Sequence, residues 1–286
     1  TSSRLNRPTT RHNKNRPTMT CYRHPDREAY VRCQRCERVI CPACQVEASV
    51  GFLCPECAGG TPTKLAAARR RQARASHGGQ RPVASLWLIG ITVAFWILQV
   101  LPGSLVTDYL VFSPLSLFSE PWRMLTSGFV HDWNGPWHIL LNSYAIWIFG
   151  QQLEPMLGKL RFLALYLISI VGGSVAVLWL SDPQTPVVGA SGALFGLMGA
   201  FFVVIRSIGG NPTQIFLLIA INFSMGFFVS GISWEGHLGG LITGVAIASV
   251  YASTRRRNQK FAQVLGLGLI IAALVVLTLW RIQAWV

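Results

Sequence analysis

Four polar residues stand inside lipid-length apolar stretches of this chain, and their types suit acyl transfer. Ser191 lies in Gly189-Ala190-Ser191-Gly192, followed by Ala193, Leu194, Phe195 and Gly196, in an apolar run that reaches Ile205 before Arg206. His237 stands in Gly236-His237-Leu238-Gly239-Gly240 in another run, and His138 and Asn142 in a third. Polar side chains within membrane spans are costly and usually functional. A serine hydroxyl becomes a nucleophile when a neighbouring base takes its proton, and histidine is the commonest such base. A second histidine and an asparagine can donate hydrogen bonds to the oxyanion that develops on an attacked carbonyl. Together they read as a serine protease whose site is sunk in the bilayer. The bland alternative for Ser191 alone is helix packing, where small residues are common.

A second set of chemistry-bearing residues precedes the apolar region. All seven cysteines fall between Cys21 and Cys57, arranged with one histidine as Cys21-x2-His24, Cys33-x2-Cys36, Cys41-x2-Cys44 and Cys54-x2-Cys57. Eight ligands at this spacing suit two tetrahedral zinc ions, because two intervening residues let one tight turn present both ligands to a single metal. Regular pairing argues for thiolates in a reducing compartment rather than for disulfides. Both sites would be closed, hence structural, and catalysis would need no metal. Spacing alone leaves sequential and alternating pairing open. The order resembles B-box-type and related cross-braced zinc fingers. That resemblance implies one zinc on Cys21, His24, Cys41 and Cys44, and the other on Cys33, Cys36, Cys54 and Cys57.

The elements that position these residues follow from composition. The chain has 286 residues, 51% hydrophobic and 13% charged, with a mean hydropathy of +0.41; that is the composition of a polytopic membrane protein. Net charge is +14 but uneven: sixteen basic against five acidic residues up to Pro82, nine against six from Val83 onward. The excess abuts the first hydrophobic span, which argues for a cytoplasmic face beside anionic lipid and against nucleic-acid binding. Residues 1–18 read as a disordered basic tail, 19–60 as the double zinc module, and 61–82 as a basic linker. Residues 83–252 read as the membrane core, and 253–286 as a basic loop with one further span. No cleavable signal peptide is recognisable at the N-terminus.

Seven apolar segments are near the length that crosses a bilayer: Val83–Leu101, Pro136–Leu153, Leu160–Leu180, Val187–Ile205, Pro212–Val229, Trp234–Tyr251 and Phe261–Trp280. The fold class expected is therefore all-α, six membrane helices plus a seventh, preceded by a small cytoplasmic zinc-finger domain. Arg206, Arg255, Arg256, Arg257 and Lys260 fall on one side, and Asp108, Glu120, Asp132, Asp182 and Glu235 on the other. By the positive-inside rule the N-terminus is cytoplasmic and the C-terminus outside. Spans four and six then both start outside, so Ser191 and His237 share a depth, and His138 and Asn142 enter from the same side. Glycines at 192, 196 and 199, and at 236, 240 and 244, would let those two helices approach closely. The fifth span and the turn at 230–233 are candidates for gate and cap.

These residues resemble the rhomboid family of intramembrane serine proteases over Val83 to about Tyr251. The resemblance rests on Trp122-Arg123, His138-x3-Asn142, Gly189-Ala190-Ser191-Gly192, and His237 followed by Gly239-Gly240. It implies a six-helix core, a Ser191–His237 dyad without an acidic third member, and an oxyanion hole of His138, Asn142 and the Ser191 N–H. Phe195 stands where some members carry a tyrosine beneath the histidine, so ring stacking is kept and a hydroxyl is lost. Gly189 and Gly192 support the nucleophile. Expected partners are transmembrane protein substrates, the lipid bilayer and a protein bound by the zinc module, with no nucleic acid; the expected location is a bacterial plasma membrane. The competing readings are a catalytically silent relative acting as an adaptor through the zinc module, and a transporter, for which no internal repeat is visible.

Overall fold

The computed structural model describes residues 19–47, 51–58, 82–255 and 257–284. The chain divides into two compact units, Thr1–Gly79 and Gln80–Val286. The tail expected over 1–18 and nearly all of the linker expected over 61–82 lie outside the described residues.

In the first unit four strands of two residues form two antiparallel pairs: β1 (Val31–Arg32) with β2 (Val39–Ile40), and β3 (Val46–Glu47) with β4 (Phe52–Leu53). Their buried interior is five cysteines with Ala29 and Ile40. So little apolar surface cannot offset the entropy of ordering the chain, and units this small need metals or disulfides to fold.

The second unit is helical. Its long helices are α1 (Val83–Gln99), α4 (Trp137–Leu157), α5 (Lys159–Leu180), α6 (Ser191–Ser207), α7 (Thr213–Phe228), α8 (Trp234–Ser253) and α9 (Lys260–Gln283). Two short helices, α2 (Val106–Leu110) and α3 (Arg123–Thr126), fold the long first connection. By length and composition α5, α8 and α9 are able to cross a membrane, and α1, α6 and α7 are shorter apolar helices. The protein is a multi-pass integral membrane protein of all-α class.

Helices α5, α6 and α8 form the centre, and glycine decides how closely they lie. A β-carbon on Gly240 would overlap the carbonyl oxygen of Gly192, one on Gly244 that of Gly196, and one on Gly239 that of Gly172. Around this centre α1 is pinned to α4 by a buried acid. Glu154, 1% exposed, accepts hydrogen bonds from the Ala84 N–H (2.9 Å), the Ser85 N–H (2.9 Å) and the Ser85 hydroxyl (2.7 Å). It thereby satisfies first-turn donors of α1 that have no partner within the helix.

Two boundaries differ from the hydropathy reading by four residues, the others by three or fewer. The second span runs through Pro155 to Leu157 rather than stopping at Leu153, and Gly158 at φ +83 ends it. The fourth helix begins at Ser191, not at Val187. Val187 is instead bridged to Phe112, its N–H donating at 2.7 Å and its carbonyl accepting at 3.3 Å. Hydropathy cannot separate an apolar bridge residue from an apolar helical one.

Candidate active site

The turn that leads into α6 is built around a histidine pair. Gly189 has φ +111, a region that only glycine enters without strain, and its N–H donates to the Ser127 carbonyl at 2.9 Å. A β-carbon there would come within 2.8 Å of His138 Cε1 and Nε2, so the residue must be glycine for a second reason. Next, the Ala190 N–H donates to His131 Nε2 at 3.4 Å. Ser191 follows as the first residue of α6, a place where backbone N–H groups have no intrahelical acceptor.

His237 sits in the first turn of α8, 6% exposed, its imidazole stacked on the Phe195 ring with centroids 4.1 Å apart and planes 18° from parallel. Phe195 is braced in turn by an edge-on contact with Phe223 at 6.2 Å. Among the described residues His237 Nδ1 is buried without a hydrogen-bond partner. The nearby Glu235 is engaged elsewhere: it accepts from the Ser233 hydroxyl at 2.9 Å, and Ser233 accepts from the Gly236 N–H at 3.1 Å as the α8 cap. Packing, not a carboxylate, therefore orients the imidazole. Ser191, His237, His138 and Asn142 all line one cavity of about 660 Å³ between α4, α6, α7 and the start of α8. No hydrogen bond joins Ser191 to His237 among the described residues; in ligand-free sites such bonds are often long and tighten when substrate binds.

His138 and Asn142 lie one turn apart on α4. The Asp132 N–H donates to His138 Nδ1 at 3.3 Å, which assigns the proton of the neutral ring to Nε2, on the edge nearest Gly189. Asn142, 5% exposed, spends one amide hydrogen on the His138 carbonyl at 2.7 Å. Its second amide hydrogen remains, so the two side chains offer the cavity two N–H donors.

His131 is a site residue that the sequence reading passed over. It is fully buried, its ring centroid is 5.0 Å from that of His138, and its backbone is clamped at both polar groups by Gln99, each bond 2.9 Å. The available signals were a histidine beside Asp132 in a loop and a glutamine ending an apolar helix. Neither has a periodicity that flags it.

A family model for the Rhomboid domain matches residues 119–254. The rhomboid protease GluP of Bacillus subtilis is 35% identical over 194 residues, 63% of this chain and 37% of GluP. YdcA of Bacillus subtilis, also named for the rhomboid proteases, is 37% identical over 145 residues, 49% of this chain and 71% of YdcA. The chain belongs to the rhomboid family. Yeast mitochondrial rhomboid protein 1 is 36% identical over 121 residues, 40% of this chain and 34% of the yeast protein. This rhomboid thus spans little more than a third of GluP, and the match to the Rhomboid domain runs from just before α3 to just past α8.

The rhomboid's first unit gathers its metal-ligating side chains into two groups. Cys21, His24, Cys41 and Cys44 form one and Cys33, Cys36, Cys54 and Cys57 the other, with the ligand atoms of each group all within 4.8 Å of one another. The alternating arrangement is the one found. His24 Nδ1 lies 3.8, 3.5 and 3.3 Å from the sulfurs of Cys21, Cys41 and Cys44, and the Cys36 and Cys54 sulfurs are 3.6 Å apart. Ligands about 2.3 Å from a tetrahedral ion stand roughly 3.8 Å from each other, so the geometry fits a metal. Burial raises the Cys21 thiol, but backbone N–H donors and His24 outweigh it and bring it down to about 6. Backbone donors likewise overcome burial at Cys33, to about 6. Burial and neighbouring thiols push Cys44 up to about 12, and the neighbouring thiols do the same to Cys57. The Arg38 hydrogen bond also draws the Cys36 thiol down, so each group holds at least one thiol lowered toward the thiolate, while Cys44 and Cys57 are thiols that a cation would have to deprotonate.

Arg38, unremarked in the sequence, braces the second group. Its guanidinium donates to Cys36 Sγ (3.2 Å) and Cys54 Sγ (3.5 Å), pairs with Glu56 at 3.0 Å and lies 4.4 Å over the Tyr22 ring.

Proposed function

We propose that this rhomboid is an intramembrane serine endopeptidase in which Ser191 is the nucleophile and His237 the general base. The observation that carries the reading is the His237 ring held on Phe195 at the wall of the cavity that Ser191 also lines. His237 takes the proton of Ser191 Oγ as that oxygen bonds to the substrate carbonyl carbon. The carbonyl π electrons move onto oxygen, where His138 Nε2–H, the free Asn142 amide N–H and the Ser191 N–H stabilise the charge. When the tetrahedral species collapses, the C–N bond breaks and His237 delivers its proton to the leaving amine. Water, activated by the same histidine, then hydrolyses the acyl ester and restores the Ser191 hydroxyl.

Substrates are transmembrane or juxtamembrane protein segments. Only Ile215 of α7 is buried, and α7 supplies Leu218, Asn222 and Met225 to one wall of the cavity; that supports α7 as the gate and residues 230–233 as the cap. The membrane core is assigned to 83–252, and the basic loop with the last helix to 253–286. Residues 19–60 are assigned to a module holding two structural zinc ions, Cys/His ligation being what zinc prefers. It would lie on the cytoplasmic side and recruit a protein partner, with the protein in a bacterial plasma membrane and its C-terminus outside. The test is cleavage of a single-span reporter protein in proteoliposomes. The native chain should release two fragments and Ser191→Ala none; equal cleavage by both would overturn the assignment.

A further inference from the structure

One rim of the helical bundle gathers cations without counter-charge. Lys159 and Arg161 open α5, Lys260 opens α9, Arg206 lies in the last turn of α6 and Arg255 follows α8, all exposed. Hydrogen bonds bring their helix ends together. Arg161 Nε–H donates to Gln263 Oε1 at 2.8 Å, the Gln263 amide donates to Thr254 Oγ1 at 2.9 Å, and Arg255 bonds the Ser207 hydroxyl. Gln263 is only 7% exposed, so the acceptor that fixes Arg161 is itself fixed. The Arg161 guanidinium also lies 5.8 Å over the Tyr251 ring. Its two terminal nitrogens have no partner among the described residues.

None of the five cations forms an ion pair among the described residues. The carboxylate at this end of α4, Glu154, is buried and committed to the start of α1. Beside the cations the helix flanks are apolar and open, with Leu160 82%, Phe261 79% and Val264 69% exposed. A guanidinium held by one edge and open at the other is shaped for a bidentate phosphate. Lysines alongside add charge, and the apolar flank suits acyl chains, which a free anion lacks.

We propose that the rim where α5, α8 and α9 meet binds the phosphate of an anionic phospholipid, with Arg161 as its bidentate partner and Lys159 and Lys260 as flanking charges. The site needs nothing from the proteolytic reading. Basic pockets between membrane helices are recurrent headgroup sites.

The full chain would be reconstituted in phosphatidylcholine bilayers with and without phosphatidylglycerol, reading the thermal midpoint and the lipid retained on extraction. Phosphatidylglycerol should raise the midpoint of the native protein by about 4 °C and be retained in preference to phosphatidylcholine. Combined Lys159→Gln, Arg161→Gln and Lys260→Gln should abolish that gain. The readout is the difference between bilayers, so a general loss of stability in the variant cancels. Arg161→Lys, which keeps the charge but not the fork, should keep only part of the gain. An undiminished gain in the triple variant would overturn the site. So would an equal gain from inorganic phosphate in detergent, which would mark a free-anion site instead.

Discussion

The carbonyl oxygen of Gly192 occupies the space that a β-carbon on Gly240 would need. Because Gly192 is next to Ser191 and Gly240 is one turn beyond His237, this contact sets how far apart the two catalytic candidates stand. Gly240→Val should push α8 from α6, lower the thermal midpoint by the equivalent of about 1–3 kcal/mol and remove most activity. Gly268→Val, where nothing lies within 4 Å of the added carbon, should cost only helix propensity. Paired melting curves and cleavage assays on the two variants check this, and matching losses would separate glycine packing from the site.

With no carboxylate at His237, its orientation depends on the Phe195 ring beneath it. Phe195→Tyr keeps the stack and should retain activity. Phe195→Ala removes it, and kcat should fall by about tenfold or more, the loss exceeding any change in KM. A Phe195→Ala enzyme with native kcat would leave the imidazole oriented by something else.

On the proposed mechanism, His138→Ala and Asn142→Ala each delete one donor to the developing oxyanion. Each should reduce kcat by roughly 10²–10³ with little change in KM, since the bond forms only in the transition state. Steady-state kinetics on a fluorogenic membrane peptide would read the split. A rise in KM at constant kcat would reassign both residues to substrate binding.

Much of this was legible from residue types. Ser191, His237, His138 and Asn142 stood out because polar groups in apolar runs are expensive, and the cysteine spacing carried the ligand groups. What escaped notice depends on long-range contacts. Gln99, His131 and Glu154 act through bonds spanning 32 to 70 residues, and no local pattern encodes such a partner. The start of α6 was misread by four residues because Val187 is as apolar as the helix it precedes. Arg38 carries no spacing or motif that singles it out, and only folding sets it against two cysteine sulfurs and Tyr22.

The metal module should respond to acid. Cys21 and Cys33 lie at about 6 without metal, and a bound cation draws thiolate pKa values lower still. Ligation requires the deprotonated form, and the Cys44 and Cys57 thiols, pushed up to about 12, compete most strongly for protons, so metal should be held at neutral pH and released as pH falls. About two metal ions per chain at pH 7.5 by elemental analysis, and loss on acid dialysis, would fit two four-ligand sites. Arg38→Ala should move release toward neutral pH by exposing the thiolates it covers. A chain that never carries metal would reject the module.

The most direct measurement of the central claim is mass-spectrometric mapping of a serine-reactive fluorophosphonate on the purified native protein. Covalent capture requires a serine made nucleophilic by its surroundings, which an adaptor with the same fold would lack. One adduct on Ser191, absent from Ser191→Ala and strongly reduced in His237→Ala while both variants melt like the native protein, is the result expected. No adduct on Ser191, or labelling of equal extent in His237→Ala, would contradict the dyad.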